Sequence, residues 1–128
     1  GLNVICDRFD VSSYLYQLYV HDLHMVYDKL FNLLRKNVVG ICTPDFYFLL
    51  DAPADIGIAR VKKRTEEHGG DMSRFDKMPI EFHEKIREGA LMYLKKYHNG
   101  QHVIIDASHT KERVELSVYN AIINRIGS

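Results

Sequence analysis

The chain reads as an α/β fold, a parallel sheet flanked by helices, and two observations predict it. Short apolar runs at 2–6, 46–50 and 102–105 alternate with longer stretches of helical period, the order produced when helices carry the chain from strand to strand. The run Phe46-Tyr47-Phe48-Leu49-Leu50 is near-continuously apolar, the pattern of a parallel strand covered on both faces.

Leu2 to Cys6 is the first expected strand, and it ends at Asp7-Arg8. Ligands of open α/β sheets sit at the carboxyl ends of strands, so a charged pair there is placed for chemistry. The plainer reading is a local ion pair closing the strand. Ser12 or Ser13 can cap a helix that begins near Tyr14. In a second helix, Leu23, Val26, Tyr27, Leu30, Leu33 and Leu34 form one stripe, read here as core. Gly40 to Pro44 is turn-like, Phe46 to Leu50 is the second strand, and Asp51 ends it.

Pro53 suits the start of the next helix because its missing N–H costs nothing there, and Asp55 favours the positive end of the dipole. Ala54, Ile58 and Val61 share one face of that helix, Arg60 and Arg64 another. Glu66 to Met78 is polar, contains Gly69-Gly70 and reads as a mobile loop. Phe82, Ile86, Ala90, Tyr93 and Tyr97 then make the buried stripe of a long helix, with Glu81, Glu84, Lys85 and Glu88 outward. Asn99-Gly100 stops it. His102 to Ile105 is the third strand, and Lys111 to Ile126 the closing helix. Without repeats, low-complexity segments or a linker, residues 1–128 form one domain, with 65–78 as its irregular arm.

Composition narrows the function. The 128 residues are 46% hydrophobic and 27% charged, which suits a soluble globular protein, and 17 basic residues balance 17 acidic ones. A neutral balance argues against nucleic-acid or membrane-surface binding, which needs a basic excess. No membrane span or signal peptide is evident, so the cytoplasm is the expected location. Cys6 and Cys42 are expected as reduced, buried or partly buried thiols. His21 and His24 have helical spacing but no third ligand nearby, so the seven histidines read as solvated surface groups.

Four blocks of sequence carry a family resemblance. Asp7-Arg8-Phe9 followed by Ser12, Ser13, Tyr16 and Gln17 resembles the Asp-Arg-Tyr motif and Ser-x-x-x-Tyr-Gln helix start of thymidylate kinases. Pro44-Asp45 through Leu49-Leu50-Asp51, with Gly57 and Ala59-Arg60, matches in the same order. So do Ser73-Arg74-Phe75-Asp76 through Glu81-Phe82-His83-Glu84-Lys85-Ile86-Arg87-Glu88, and Ile105-Asp106-Ala107-Ser108.

The resemblance implies a P-loop-kinase-like fold, ATP and Mg2+ as cofactors, dTMP as acceptor, and a homodimer formed through a helix in the region of the second helix. By position it implies that Arg8 grips the acceptor monophosphate and that Asp7 lies near the magnesium, touching it indirectly. Ser12, Ser13 and Tyr16 line the thymine and deoxyribose, with Gln17 alongside. Arg64 and Arg74 border and occupy a lid, corresponding to 65–78, that closes over ATP. Arg60 lies where the donor side begins, and Ser108 and His109 fall beside the adenine. Arginines suit such tasks because a planar, permanently charged fork binds phosphate oxygens bidentately.

Each residue also has a plainer reading. Arg60, Lys62, Lys63 and Arg64 can be a solvated helix face, Ser12 and Ser13 caps, Gly69-Gly70 an ordinary loop, and Tyr16 a core aromatic.

Departures from the family pattern matter equally. The eight glycines include no Gly-x-x-x-x-Gly-Lys-Ser/Thr, the loop whose backbone N–H groups and lysine cradle donor phosphates. Phe9 replaces a tyrosine, no glycine-rich turn follows Gln17, and Ser73 stands where an acid commonly precedes the lid arginine. The 128 residues are therefore expected to be the carboxyl-terminal portion of a thymidylate kinase-like protein. The resemblance also implies that the family's first strand, the one leading into the phosphate loop, belongs in the sheet between the strands at 2–6 and 46–50; without it the isolated segment is expected to be inactive. Two alternatives stay open: a kinase for another deoxynucleotide or a deoxynucleoside, and a non-catalytic module that has lost the phosphate loop.

Overall fold

The computed structural model describes residues 3–126. Helix α1 spans Asp10–Tyr14 and continues as a π-helical turn, Leu15–Tyr19. Helix α2 is His24–Val39, with a short 3-10 turn at Gly40–Cys42. Strand β1 (Tyr47–Asp51), helix α3 (Ala54–His68), helix α4 (Ile80–Tyr97), strand β2 (His102–Asp106) and helix α5 (Lys111–Ile126) follow.

Among the described residues the sheet has two strands, β1 and β2, paired in parallel from Tyr47 opposite His102 to Asp51 opposite Asp106. The ladder extends at both ends, since Tyr47 N–H donates to the Gln101 carbonyl at 2.9 Å and Ala107 N–H to the Asp51 carbonyl at 2.7 Å. The parallel α/β expectation holds in this form. No described helix is long and apolar enough to cross a membrane.

The core lies between the α1 segment and α4. Tyr14, Leu15 and Leu18 meet Ala90, Tyr93 and Leu94, with Phe31, Tyr47, Leu49, Ile86 and Tyr97 packed around them. Tyr93 has no exposed surface and its ring centroid lies 4.6 Å from that of Tyr14. The stripe read on α4 therefore does face inward. Gly89 lets the two elements approach: a Cβ there would sit 2.5 Å from Tyr19 Cδ1 and 2.7 Å from Leu15 Cδ2. Helix propensity favours alanine over glycine by about 1 kcal/mol, but overpacking costs about 1–3 kcal/mol. Gly89→Ala should thus lower the urea midpoint. An unchanged or raised midpoint would mean that the π-helical turn yields without cost.

Several expectations need correcting. Leu2 lies outside the described residues, and 3–6 has no regular structure, with Val4 86% and Ile5 88% exposed. Among the described residues no neighbouring strand takes up its backbone groups, and a strand exists only through such a ladder. The first helix starts at Asp10 rather than near Tyr14, and neither Ser12 nor Ser13 caps it; Asp10 itself accepts from Val11 N–H at 3.0 Å.

Helix α2 is turned the other way. Leu23, Val26, Tyr27, Leu30, Leu33 and Leu34 are all exposed, Val26 by 74%, while Phe31 and Arg35 face the core. Polar anchors decide the orientation. Asp28 accepts from Tyr14 at 2.9 Å, from Lys96 at 2.7 Å and from Tyr97, and Arg35 pairs with Asp10. Burial works to raise the Asp28 pKa, and these donors together hold it below the usual carboxylate range.

Strand β1 is covered on one face only, with Phe48 and Leu50 outward. Both cysteines are exposed. His98 is buried, 4% exposed, between Tyr47 and Tyr93, and burial lowers its pKa. Helix α3 runs on to His68, so the irregular arm begins at Gly69. Glu84 and Lys85 do not simply face solvent: Glu84 accepts from the Ala54 N–H at 3.0 Å and Lys85 pairs with Asp22 at 2.7 Å.

Candidate functional site

Asp7 and Arg8 form a bend just before α1. Arg8 has φ 63°, left-handed for a residue with a side chain, a conformation that costs about 1–2 kcal/mol. Phe9 then returns to negative φ, at −158°, and Cys6 Sγ–H donates to the Arg8 carbonyl at 3.1 Å. Both charged side chains are exposed, and neither has a hydrogen-bond or ion-pair partner among the described residues. The local ion pair expected on the plainer reading does not form.

Next along the chain, Ser12 is half-buried and Ser13 exposed on α1, while Tyr16 is half-buried and Gln17 exposed on the π-helical turn. A network that sequence reasoning missed holds this segment. Asp10 accepts from Arg35 Nε, from the Tyr47 hydroxyl at 3.0 Å and from the Tyr93 hydroxyl at 3.1 Å. Arg35 also donates to the Tyr47 oxygen at 3.0 Å. Burial, with the nearby Asp10 charge, pushes Tyr47 up to about 12 and raises Tyr93 further, so both stay protonated donors. The available signal was Asp28, Phe31 and Arg35 at helical spacing, a mixed face opposite the leucine stripe.

At their carboxyl ends both strands carry acids. Asp51 takes a bidentate pair from Arg87, at 2.7 and 3.0 Å, and Arg87 also reaches Glu84 at 3.5 Å. Asp106 accepts from Ser108 Oγ at 2.6 Å and Ser108 N–H at 2.9 Å, which lower its pKa, and lies 3.3 Å from His109 Nε2. Arg60 donates to the carbonyls of Ala107, Ser108 and His109. Arg60, Ser108 and His109 are thus brought together, with the arginine holding the loop by its backbone.

Arg64 lines a cleft of about 330 Å³ with His68, Gly69, Gly70, Asp71 and Asp76. Gly69 and Gly70 have φ 69° and 108°, which side chains resist, so this start of the arm depends on glycine. Arg74 is exposed on the following turn, its guanidinium carbon 4.6 Å from the Phe75 ring centroid. No hydrogen bond or ion pair joins the side chain of Asp7 or Arg8 to another residue among the described residues, so neither is tied to Arg64 or Arg74.

Comparison with known proteins completes the picture. The thymidylate kinase family model matches residues 1–118. The chain belongs to the thymidylate kinase family. It is 33% identical over 129 aligned positions to the thymidylate kinase of Desulforapulum autotrophicum, covering 99% of this chain and 55% of that protein. It is 32% identical over 123 positions to the thymidylate kinases of Bacillus cereus and Bacillus anthracis, covering 96% of this chain and 56% of each. The chain therefore spans about half the length of the curated relatives it matches.

Membership in the thymidylate kinase family makes the fit of magnesium and ATP a structural question. Magnesium is held by one or two carboxylates plus substrate phosphates rather than by a protein cage. The exposed, unpartnered Asp7 suits that pattern, and the described residues contain no cluster of three or more metal-ligating side chains. For the nucleotide, Arg64 and Arg74 offer exposed cations, whereas Arg60 is already engaged by three carbonyls.

Proposed function

We propose that the complete protein is a nucleoside monophosphate kinase, moving the γ-phosphoryl of ATP to dTMP to give dTDP. The observation that carries this reading is the Asp7-Arg8 bend. Two opposite charges stand exposed and, among the described residues, unpaired, with Arg8 on a strained backbone, inside the stretch matched to the family. Strain of this kind persists where the surroundings enforce it, and it concentrates at functional sites.

Phosphoryl transfer asks a protein mainly to hold two reactants in line and to neutralise spreading charge. Arg8 grips the acceptor phosphate through its fork. Ser12, Ser13, Tyr16 and Gln17 line the base and sugar. Arg64 and Arg74, on and beside the glycine-hinged arm, neutralise the donor phosphates. Arg60 acts one step back, fixing the loop that sets Ser108 and His109 beside the adenine. Asp7 would hold magnesium indirectly, and the ion would supply positive charge to neutralise the phosphate oxygens. A dTMP-dependent ATP-consumption assay, run on a sample whose intact mass is known, tests the reading. Activity with dTMP above other nucleotides and deoxynucleosides supports it, and failure with every acceptor in a protein of full family length overturns it.

The exposed apolar stripe of α2 supports a homodimer, a second copy covering Leu23, Val26, Leu30, Leu33 and Leu34. Leu30→Glu with Leu34→Glu should convert a dimer to monomers in sedimentation without unfolding α2, whose core contacts lie opposite. A parent protein that sediments as a monomer would remove this proposal.

A further inference from the structure

We propose that Phe75 is a positioning residue that transmits occupancy of the acceptor pocket to Arg74; this rests on the kinase reading above. Tyr16, on the acceptor side, lies with its ring centroid 5.0 Å from that of Phe75 and 6.4 Å from that of Phe82. Phe75 and Phe82 are stacked at 6.3 Å with planes 12° apart. Arg74 lies over the Phe75 ring, its guanidinium carbon 4.6 Å from the centroid. The path from Tyr16 to Arg74 is thus one ring contact, to Phe75, and one backbone step, with the guanidinium also resting on the Phe75 ring.

The turn carrying Arg74 and Phe75 is built as a unit. Ser73 N–H donates to Asp76 Oδ2 at 2.9 Å, and Asp76 N–H donates back to Ser73 Oγ at 3.2 Å. Met78 N–H closes onto the Phe75 carbonyl at 3.0 Å. Hydrogen bonding by Ser73 holds Asp76 below the usual carboxylate range, and Asp76 lines the same cleft as Arg64 and His68 at the end of α3. Upstream lie the paired positive-φ glycines, Gly69 and Gly70, and downstream Pro79 precedes α4.

A rigid turn behind a glycine pair moves as one piece, and the aromatic contact with Tyr16 is what ties it to the acceptor side. A nucleotide that fixes the Tyr16 ring fixes Phe75, and with it the direction of Arg74. Sequence reading named Tyr16 and Arg74 separately. The ring between them is what makes them one device.

The test uses the complete protein and measures binding of a non-hydrolysable ATP analogue by calorimetry, with and without saturating dTMP. In the parent, dTMP should tighten the analogue by about five-fold or more, the lower end of ordinary coupling between sites. Phe75→Leu should bring that ratio close to one, leaving dTMP affinity and the thermal midpoint near parental values, and Phe75→Tyr should restore it. If Phe75→Leu does not fold, Phe82→Leu, which removes the ring stacked on Phe75, should also reduce the ratio. Coupling that survives loss of the ring, or a parent with none, overturns the proposal. A parent that cannot phosphorylate dTMP would instead sink the kinase reading, so the two failures are distinguishable.

Discussion

Asp10→Ala lowers the free energy of unfolding by about 3–5 kcal/mol, the cost of breaking a buried ion pair by removing one partner. The side chains of Arg35 and Asp10 are only 8% and 5% exposed, so the guanidinium left behind cannot recover its hydration. Two tyrosine hydroxyls lose their acceptor in the same step. The contrast is with Lys63 and Glu67, an exposed pair on α3 whose loss should cost no more than about 1 kcal/mol. Urea denaturation of the parent, Asp10→Ala and Lys63→Ala proteins gives the comparison directly. Equal midpoints would show that the Asp10 network is decorative. Asp10→Ala combined with Arg35→Met should recover part of the loss, because the penalty comes mostly from the stranded charge.

Arg8→Ala in the complete protein should reduce kcat/KM for dTMP by about a hundred- to a thousand-fold, the range seen when one preorganised donor to a developing charge is removed. Arg8→Lys should recover only part of this, since an ammonium supplies charge without the bidentate fork. The backbone provides a control. At φ 63° glycine is more comfortable than arginine, so Arg8→Gly should leave stability equal or slightly higher while activity falls as in the alanine protein. Unchanged kinetics in either variant would take Arg8 out of the acceptor site, and falling stability with falling activity would make it a structural residue.

These two sites differ in how far the sequence reveals them. Arg8 stands in a compact motif at an apolar-to-polar boundary, where strand-end chemistry is expected, and a short motif survives even though the strand before it does not form. Asp10 has no such signal. An acid in the first turn of a helix is ordinary, and nothing local says that its partner lies on α2 with Tyr47 and Tyr93 completing the set. Long-range pairing of polar groups leaves no period in a sequence.

The same limit explains α2. Periodicity identifies a stripe but not the side of the helix on which the rest of the molecule lies, and the more apolar stripe is the outward one. Where one face is polar and the other apolar, as on α4, the reading holds. Its stripe supplies Ala90 and Tyr93 to the core, and α5 has the bounds read from the sequence, Lys111–Ile126. The contact between Tyr16 and Phe75 was likewise invisible, because the two belong to blocks read independently.

The parallel ladder between β1 and β2 has a consequence for the order in which the chain acquires its structure. Tyr47 meets His102 only after the whole of α3, the arm and α4 has been laid between them, and such non-local pairing is slow to form. During synthesis β1 emerges well before its partner, with both edges bare and Phe48 and Leu50 on the outward face, 38% and 53% exposed even in the folded chain. That interval is when a neighbouring nascent chain competes best for the strand. The Asp10 network can shorten it, since it draws the Tyr47 hydroxyl toward α1 and α2, elements already made when β1 appears.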